Sequence, residues 1–104
     1  MSGIALVQTT LPDPATAEQL AAAMIEARLA GCANILGACT SIYRWHGAVE
    51  RAEEVVVQLK TRPELAVALV EAVTAAHPYD QPVVEHWLAE AAPDVADWIA
   101  AETA

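Results

Sequence analysis

Few residues in this chain have side chains that do chemistry, and they are scattered. The histidines are His46, His77 and His86, and the cysteines are Cys32 and Cys39. His77 opens the run His77-Pro78-Tyr79-Asp80-Gln81-Pro82. An imidazole there ends a helix beside a turn, where it can face a cleft and take a metal. It can equally sit as a protonated cap, because helix C-termini favour a cation. One imidazole does not hold a metal firmly: zinc takes about three or four ligands. The others would come from Asp80, Glu85 or another subunit. His46 reads as a solvated turn residue. His86 shares a strand face with Val84 and Leu88 and is expected to be packed or at an interface. No two histidines are four apart, so no helix carries a local metal clip. The cysteines lack CxxC spacing and read as packing residues.

Lys60 and Arg62 form a close basic pair at the end of a strand. They can hold an anion or pair with Glu50, Glu53 or Glu54 across subunits. Tyr43, Trp45, Tyr79 and Trp87 fall on a hairpin or on the last strand, where aromatic side chains anchor an interface or line a pocket. Catalysis has little support. There is no nucleophile elbow and no phosphate loop, and the four glycines stand apart at positions 3, 31, 37 and 47. No motif requires a cofactor, and the expectation is a protein that is not an enzyme.

Composition narrows the class. The chain has 104 residues, which is one domain over residues 1–104. It is 56% hydrophobic, much of it alanine. Fourteen acidic against five basic side chains give a net charge of −9. That balance argues against nucleic-acid binding, which needs a basic footprint. It suits solubility and is compatible with cations. The start has no positive region before its short apolar run, so it does not read as a signal peptide. No apolar segment reaches the ~20 residues that cross a bilayer. A cytoplasmic protein with reduced thiols is expected.

The elements that must position these residues follow from periodicity. Residues 4–10 predict a strand. Asp13 caps a helix that starts at Pro14 and runs to about Ala30, with Ala17, Leu20, Ala21, Met24 and Ala27 inward and Gly31 ending it. Residues 32–35 begin a second strand, and Gly37-Ala38 predicts a bulge or bend. Residues 40–62 read as two long strands joined by a tight turn at His46-Gly47. Ile42, Arg44 and His46 share one face of the first, Ser41, Tyr43 and Trp45 the other. On the second, Val55, Val57 and Leu59 oppose Glu54, Val56, Gln58 and Lys60. A helix starts near Pro63, with Leu65, Ala66, Leu69, Val70 and Val73 inward. His77-Pro78 stops it. Residues 83–88 form a fourth strand, and residues 94–101 a short helix carrying Trp98.

This order predicts an α+β fold: a ferredoxin-like βαββαβ sandwich with a C-terminal helix. Two long helices cover one sheet face. The other has no local cover, and the hairpin is longer than the helices can shield. Exposed edges invite another chain, so assembly is expected.

Several pieces stand together: Thr10 with Pro12-Asp13, Ala30-Gly31-Cys32-Ala33-Asn34, Thr40-Ser41-Ile42-Tyr43-Arg44-Trp45-His46-Gly47, Lys60-Thr61-Arg62 and the His77-to-Pro82 run. In this order they resemble the divalent-cation tolerance family, CutA. The resemblance implies a tight homotrimer with sheets joined edge to edge and a role in tolerance to copper and other divalent metals. Tyr43 and Trp45 are read as trimer contacts because aromatic side chains anchor interfaces, and an inter-subunit cleft of Lys60, Arg62, Tyr79, Asp80, Glu85 and Trp87 is expected. Members credited with copper binding carry a cysteine where this chain has Thr9, and a second histidine where it has Ala76. The copper site therefore does not carry over cleanly, since a hydroxyl is a poor ligand for soft copper. His77 remains the metal candidate.

Two functions are carried forward. One is a non-enzymatic homotrimer that binds copper or other divalent cations weakly. The other is a trimer similar in architecture to PII-type signal proteins, with small anionic ligands in the clefts between subunits.

Overall fold

The computed structural model describes residues 2–104. Strand β1 (Ser2–Leu11) leads to helix α1 (Pro14–Glu26), then to strands β2 (Cys32–Trp45) and β3 (Ala48–Thr61). A 3-10 turn (Pro63–Leu65) opens helix α2 (Ala66–Ala76), followed by strand β4 (Val84–Ala91) and helix α3 (Pro93–Glu102). All pairings are antiparallel and the sheet order is β2-β3-β1-β4. This is the ferredoxin-like arrangement, with α3 added.

The first helix starts as its sequence demands. Asp13 has extended backbone and its Oδ1 accepts from the Thr16 amide at 2.8 Å, with Pro14 at the first helical position. That bond holds the Asp13 carboxyl below its usual pKa. The helix ends earlier than expected. Arg28, not Gly31, takes the left-handed conformation, with φ 60°. The Arg28 and Leu29 amides then donate to the Ile25 and Met24 carbonyls, both at 3.0 Å, which closes a Schellman cap. Ala27 is exposed as a result. Gly31 serves a different purpose: its amide donates to Lys60 O at 2.8 Å, and a Cβ would meet Ile99 Cα at 3.2 Å. Its missing side chain lets α3 approach.

The core lies between the sheet and the α1/α2 layer. Val7, Leu11, Val55, Val57 and Leu59 face Ala17, Leu20, Met24, Leu69 and Val73, all buried. In α2 the expected stripe is only partly closed: Ala66, Leu69 and Val73 are buried, while Leu65 and Val70 are half-buried. The opposite sheet face is not wholly bare. Ile4, which alternates away from Ala5 and Val7, is only 5% exposed. Helix α3 packs against β1 and β3 and buries Ile99 and Thr103. Two arginines fasten it there. Arg28 Nη1 donates to Glu102 O at 3.4 Å and Arg62 Nη2 to Thr103 O at 3.2 Å, satisfying carbonyls at the helix C-terminus.

The hairpin turns at His46-Gly47 as predicted. Both residues have positive φ, 49° and 82°, the geometry of the two-residue turn that matches strand twist. Beyond the helices the ribbon continues with no helix over either face. Ile42 (70% exposed) and Val49 (65%) lie on one face, and Tyr43 and Trp45 on the other. The molecule measures 45 × 25 × 22 Å in consequence.

Candidate functional site

One backbone irregularity decides which side chains meet. From Cys32 to Ile35, β2 pairs with β3 in one register; from Gly37 onward the pairing is shifted by one residue, leaving Leu36 as a bulge. Gly37 carries φ 99° there, which side-chain-bearing residues rarely adopt. A one-residue slip moves every later side chain to the other face. Without the bulge, Tyr43 and Trp45 would lie on the helix side of the sheet. With it, Cys39 pairs with Glu54, Tyr43 with Glu50 and Trp45 with Ala48, all on the side away from α1 and α2.

The run after α2 folds over this patch and makes a cleft of about 720 Å³. Tyr43, Trp45, Glu50 and Glu54 line it from the ribbon, and Tyr79 and Asp80 from the loop. Tyr79 is held at both ends. Its amide donates to His77 Nδ1 at 3.2 Å, and its hydroxyl to Glu54 Oε2 at 2.9 Å. His77 is anchored in turn, with Nε2 2.8 Å from Thr10 O. A carbonyl only accepts and an amide only donates, so the ring is the neutral tautomer with its proton on Nε2. The relay runs from β1 through the end of α2 to β3 and fixes the loop over the ribbon.

The electrostatics of the cleft are negative. Burial, the hydrogen bond to Glu54 and the charge of Glu54 push the Tyr79 phenol up to about 12. Tyr43 is also raised, first by desolvation and then by Glu50 and Glu54. Glu54 itself is 8% exposed and has no ion-pair partner among the described residues. Sequence reasoning offered Glu54 only as an ion-pair partner across subunits. The available signal was its place on the polar face of β3, two residues before Val56.

The other expected cleft residues lie further along the same sheet face. Gln58 donates to Gln8 at 2.8 Å, and Gln8 to Glu85 at 3.4 Å, a polar row across β3, β1 and β4. In the next row Lys60 and Trp87 flank Leu6. Arg62 is at the far end, committed to α3 and 3.8 Å from Glu64. Within one subunit, Tyr79 and Asp80 meet Tyr43 and Trp45; Lys60, Arg62, Glu85 and Trp87 stand apart from them. His46 is exposed and makes an edge-on contact with Trp45. His86 is exposed rather than packed.

Within one subunit the described residues do not form a ready-made copper or zinc centre. Both nitrogens of His77 are used by backbone groups. Thr9 is 1% exposed, and its hydroxyl donates to Val83 O at 2.8 Å, pinning the approach to β4. Among the described residues, no three His, Cys, Asp or Glu side chains converge as a metal cluster.

Comparison with known proteins places the chain. The profile of the family described as CutA1 divalent ion tolerance protein matches residues 5–102. This chain belongs to that family. It is 38% identical over 99 residues to the divalent-cation tolerance protein CutA of Thermus thermophilus, covering 94% of this chain and 96% of that protein. It is 42% identical over 71 residues to mouse protein CutA, covering 68% of this chain but only 40% of the mouse protein. The chain thus matches about two-fifths of the length of that relative. The crystal structure of the divalent ion tolerance protein CutA1 from Ehrlichia chaffeensis superposes with a TM-score of 0.93 at 30% identity, covering 100% of this chain and 98% of that one. The superposition extends over the whole chain, so the overall arrangement of elements is shared with that structure. None of the described helices is long and apolar enough to cross a membrane.

Proposed function

We propose that this chain is a cytoplasmic, non-enzymatic homotrimer that contributes to tolerance of divalent cations and binds copper or other divalent ions weakly. The ribbon is the observation that carries the assembly. An isolated two-stranded hairpin is marginal in water, and this one exposes Ile42 and Val49 on one side and Tyr43 and Trp45 on the other. The sheet order leaves outer edges on β2 and β4. Pairing two different edges head to tail closes a ring rather than a two-fold dimer. Three copies is the ring size that the resemblance to the CutA family implies. Light scattering across a dilution series tests this. Stable, folded single copies would remove the reading.

Metal binding enters as a weak property. The net charge of −9 attracts cations, and His77 is a ligand only where a metal takes Nδ1 from the Tyr79 amide. Copper and zinc titration of the wild-type chain and of His77→Ala separates the parts. Equal uptake by both discards His77; no uptake by either discards metal binding and leaves the trimer standing.

The PII-like alternative needs anionic ligands, and the cleft within one subunit has the wrong sign for them. Lys60 from a neighbouring copy would have to supply the positive charge. A thermal-shift screen with nucleotides and anionic metabolites decides it: stabilisation by metals alone rejects it.

A further inference from the structure

The cleft between the ribbon and the Tyr79 loop is shaped and charged for a different guest from a metal ion or an anion. We propose that it binds a small organic ammonium cation, with Glu54 as counter-charge and the rings of Tyr43, Trp45 and Tyr79 as its walls.

Glu54 is the first reason. A carboxylate that is 8% exposed normally has a cationic partner, because burying a charge alone is costly. Here the one side-chain donor to it is the Tyr79 hydroxyl, on Oε2. The second oxygen is left at the cleft without a hydrogen-bond donor among the described residues. The second reason is the walls. Three aromatic side chains are 38–42% exposed in a single subunit around one cavity of about 720 Å³, and binding requires that the subunit contacts of Tyr43 and Trp45 leave their cleft-facing sides open. Aromatic faces attract cations whose charge is spread over alkyl groups, and a carboxylate at the base adds the direct Coulomb term. The third reason is rigidity. Tyr79 is fixed by its amide on His77 and its hydroxyl on Glu54, and His77 by Thr10 O. A wall already held in place loses little freedom on binding. Glu50 and Asp80 also line the cleft, and the Tyr43 and Tyr79 phenols are raised there first by desolvation and then by neighbouring carboxylates, Glu54 among them. A hard divalent ion would instead need several oxygens on one centre, and no such cluster is present among the described residues.

The rival occupant is a lysine of a second copy. Lys60 has no ion-pair partner among the described residues, and lies on the same sheet face as Glu54. The experiment separates the two. Tetramethylammonium chloride is titrated into the wild-type protein by calorimetry at constant ionic strength, with sodium chloride as the blank. Glu54→Gln, Trp45→Leu and Lys60→Met follow, each sized by light scattering first. The inference expects saturable binding to the wild type with a Kd of about 1 mM or tighter. Glu54→Gln, which keeps an acceptor for Tyr79, weakens it about tenfold, and Lys60→Met leaves it unchanged. Trp45→Leu weakens it roughly threefold or more. Binding that appears only in Lys60→Met shows that a neighbour's ammonium fills the cleft and overturns the proposal. So does a wild-type response no larger than the sodium blank, or one that Glu54→Gln leaves intact. The assembly is read by sizing in the same samples, so its failure and the failure of this inference remain distinct.

Discussion

The two ends of the β2–β3 hairpin obey different rules. Near the helices, Val55, Val57 and Leu59 alternate with half-buried Val56, Gln58 and Lys60 and are closed over by α1 and α2. Past the Gly37 bulge the same two strands run on with no helix over either face and only the Tyr79 loop against one of them, exposing Ile42, Tyr43, Trp45 and Val49. The strand chemistry is alike; what differs is the cover. The first half is stabilised by burial inside one chain. The second half has apolar surface whose burial must come from outside it.

That contrast can be broken most severely in the body. Leu59 is fully buried in the core cluster, and Leu59→Ala should cost about 2–5 kcal/mol from lost transfer energy plus the cavity left behind. Urea denaturation at fixed protein concentration measures it. A loss below 1 kcal/mol would mean that the body's core is not what holds the fold.

On the ribbon the expected effect falls on association. Trp45→Ala should weaken subunit assembly by about 2 kcal/mol, as for an aromatic anchor, while an isolated subunit keeps its secondary structure. Light scattering and circular dichroism on diluted samples give both readings. A variant that stays equally associated and equally heat-stable would erase the difference between the two ends.

The bulge joins the two regimes. Gly37→Ala meets no atom within 4 Å, but its φ of 99° is hostile to a side chain, so about 1–2 kcal/mol of strain is expected. Relief of that strain by moving the bulge would turn Tyr43 and Trp45 toward the other face, which their fluorescence would register. Unchanged stability and unchanged spectra would show that the bulge does not set the ribbon's facing.

The smallest effect concerns the loop over the cleft. Tyr79→Phe removes the hydrogen bond to Glu54 and should cost about 1 kcal/mol. It also has a pH signature. Tyr79 is raised from an ordinary 10.0 to about 12. A raised pKa means the folded state holds the proton more tightly, so this stabilisation is complete below pH 10 and lost as pH climbs through 12. Denaturation between those values should be steeper in the wild type than in Tyr79→Phe. Parallel profiles would place the phenol outside the relay.

Much of this was legible in the chain itself. Period-two alternation marked β3, and three-and-four spacing marked the buried part of α1. Asp13-Pro14, His46-Gly47 and His77-Pro78 announced a cap, a turn and a stop, because each depends on local backbone preferences. The end of α1 was not legible: glycine is the usual left-handed residue, whereas Arg28 takes that conformation within the Schellman bonds while its guanidinium reaches Glu102 O on α3. The role of His77 was open for a related reason. Its residue type allows ligand or cap, and the hydrogen-bond relay seen in the structure depends on its distances to Thr10 O and the Tyr79 amide.

What the sequence determined alone was the set of elements and their order, since those follow from periodicity and from turn chemistry within a few residues. Tertiary structure decided which side chains share a surface. A single unpaired residue at the bulge put Tyr43 and Trp45 beside Glu54, and a loop 25 residues away in the chain brought Tyr79 onto it. Facing depends on register between strands, and register is a property of the folded pair rather than of either strand.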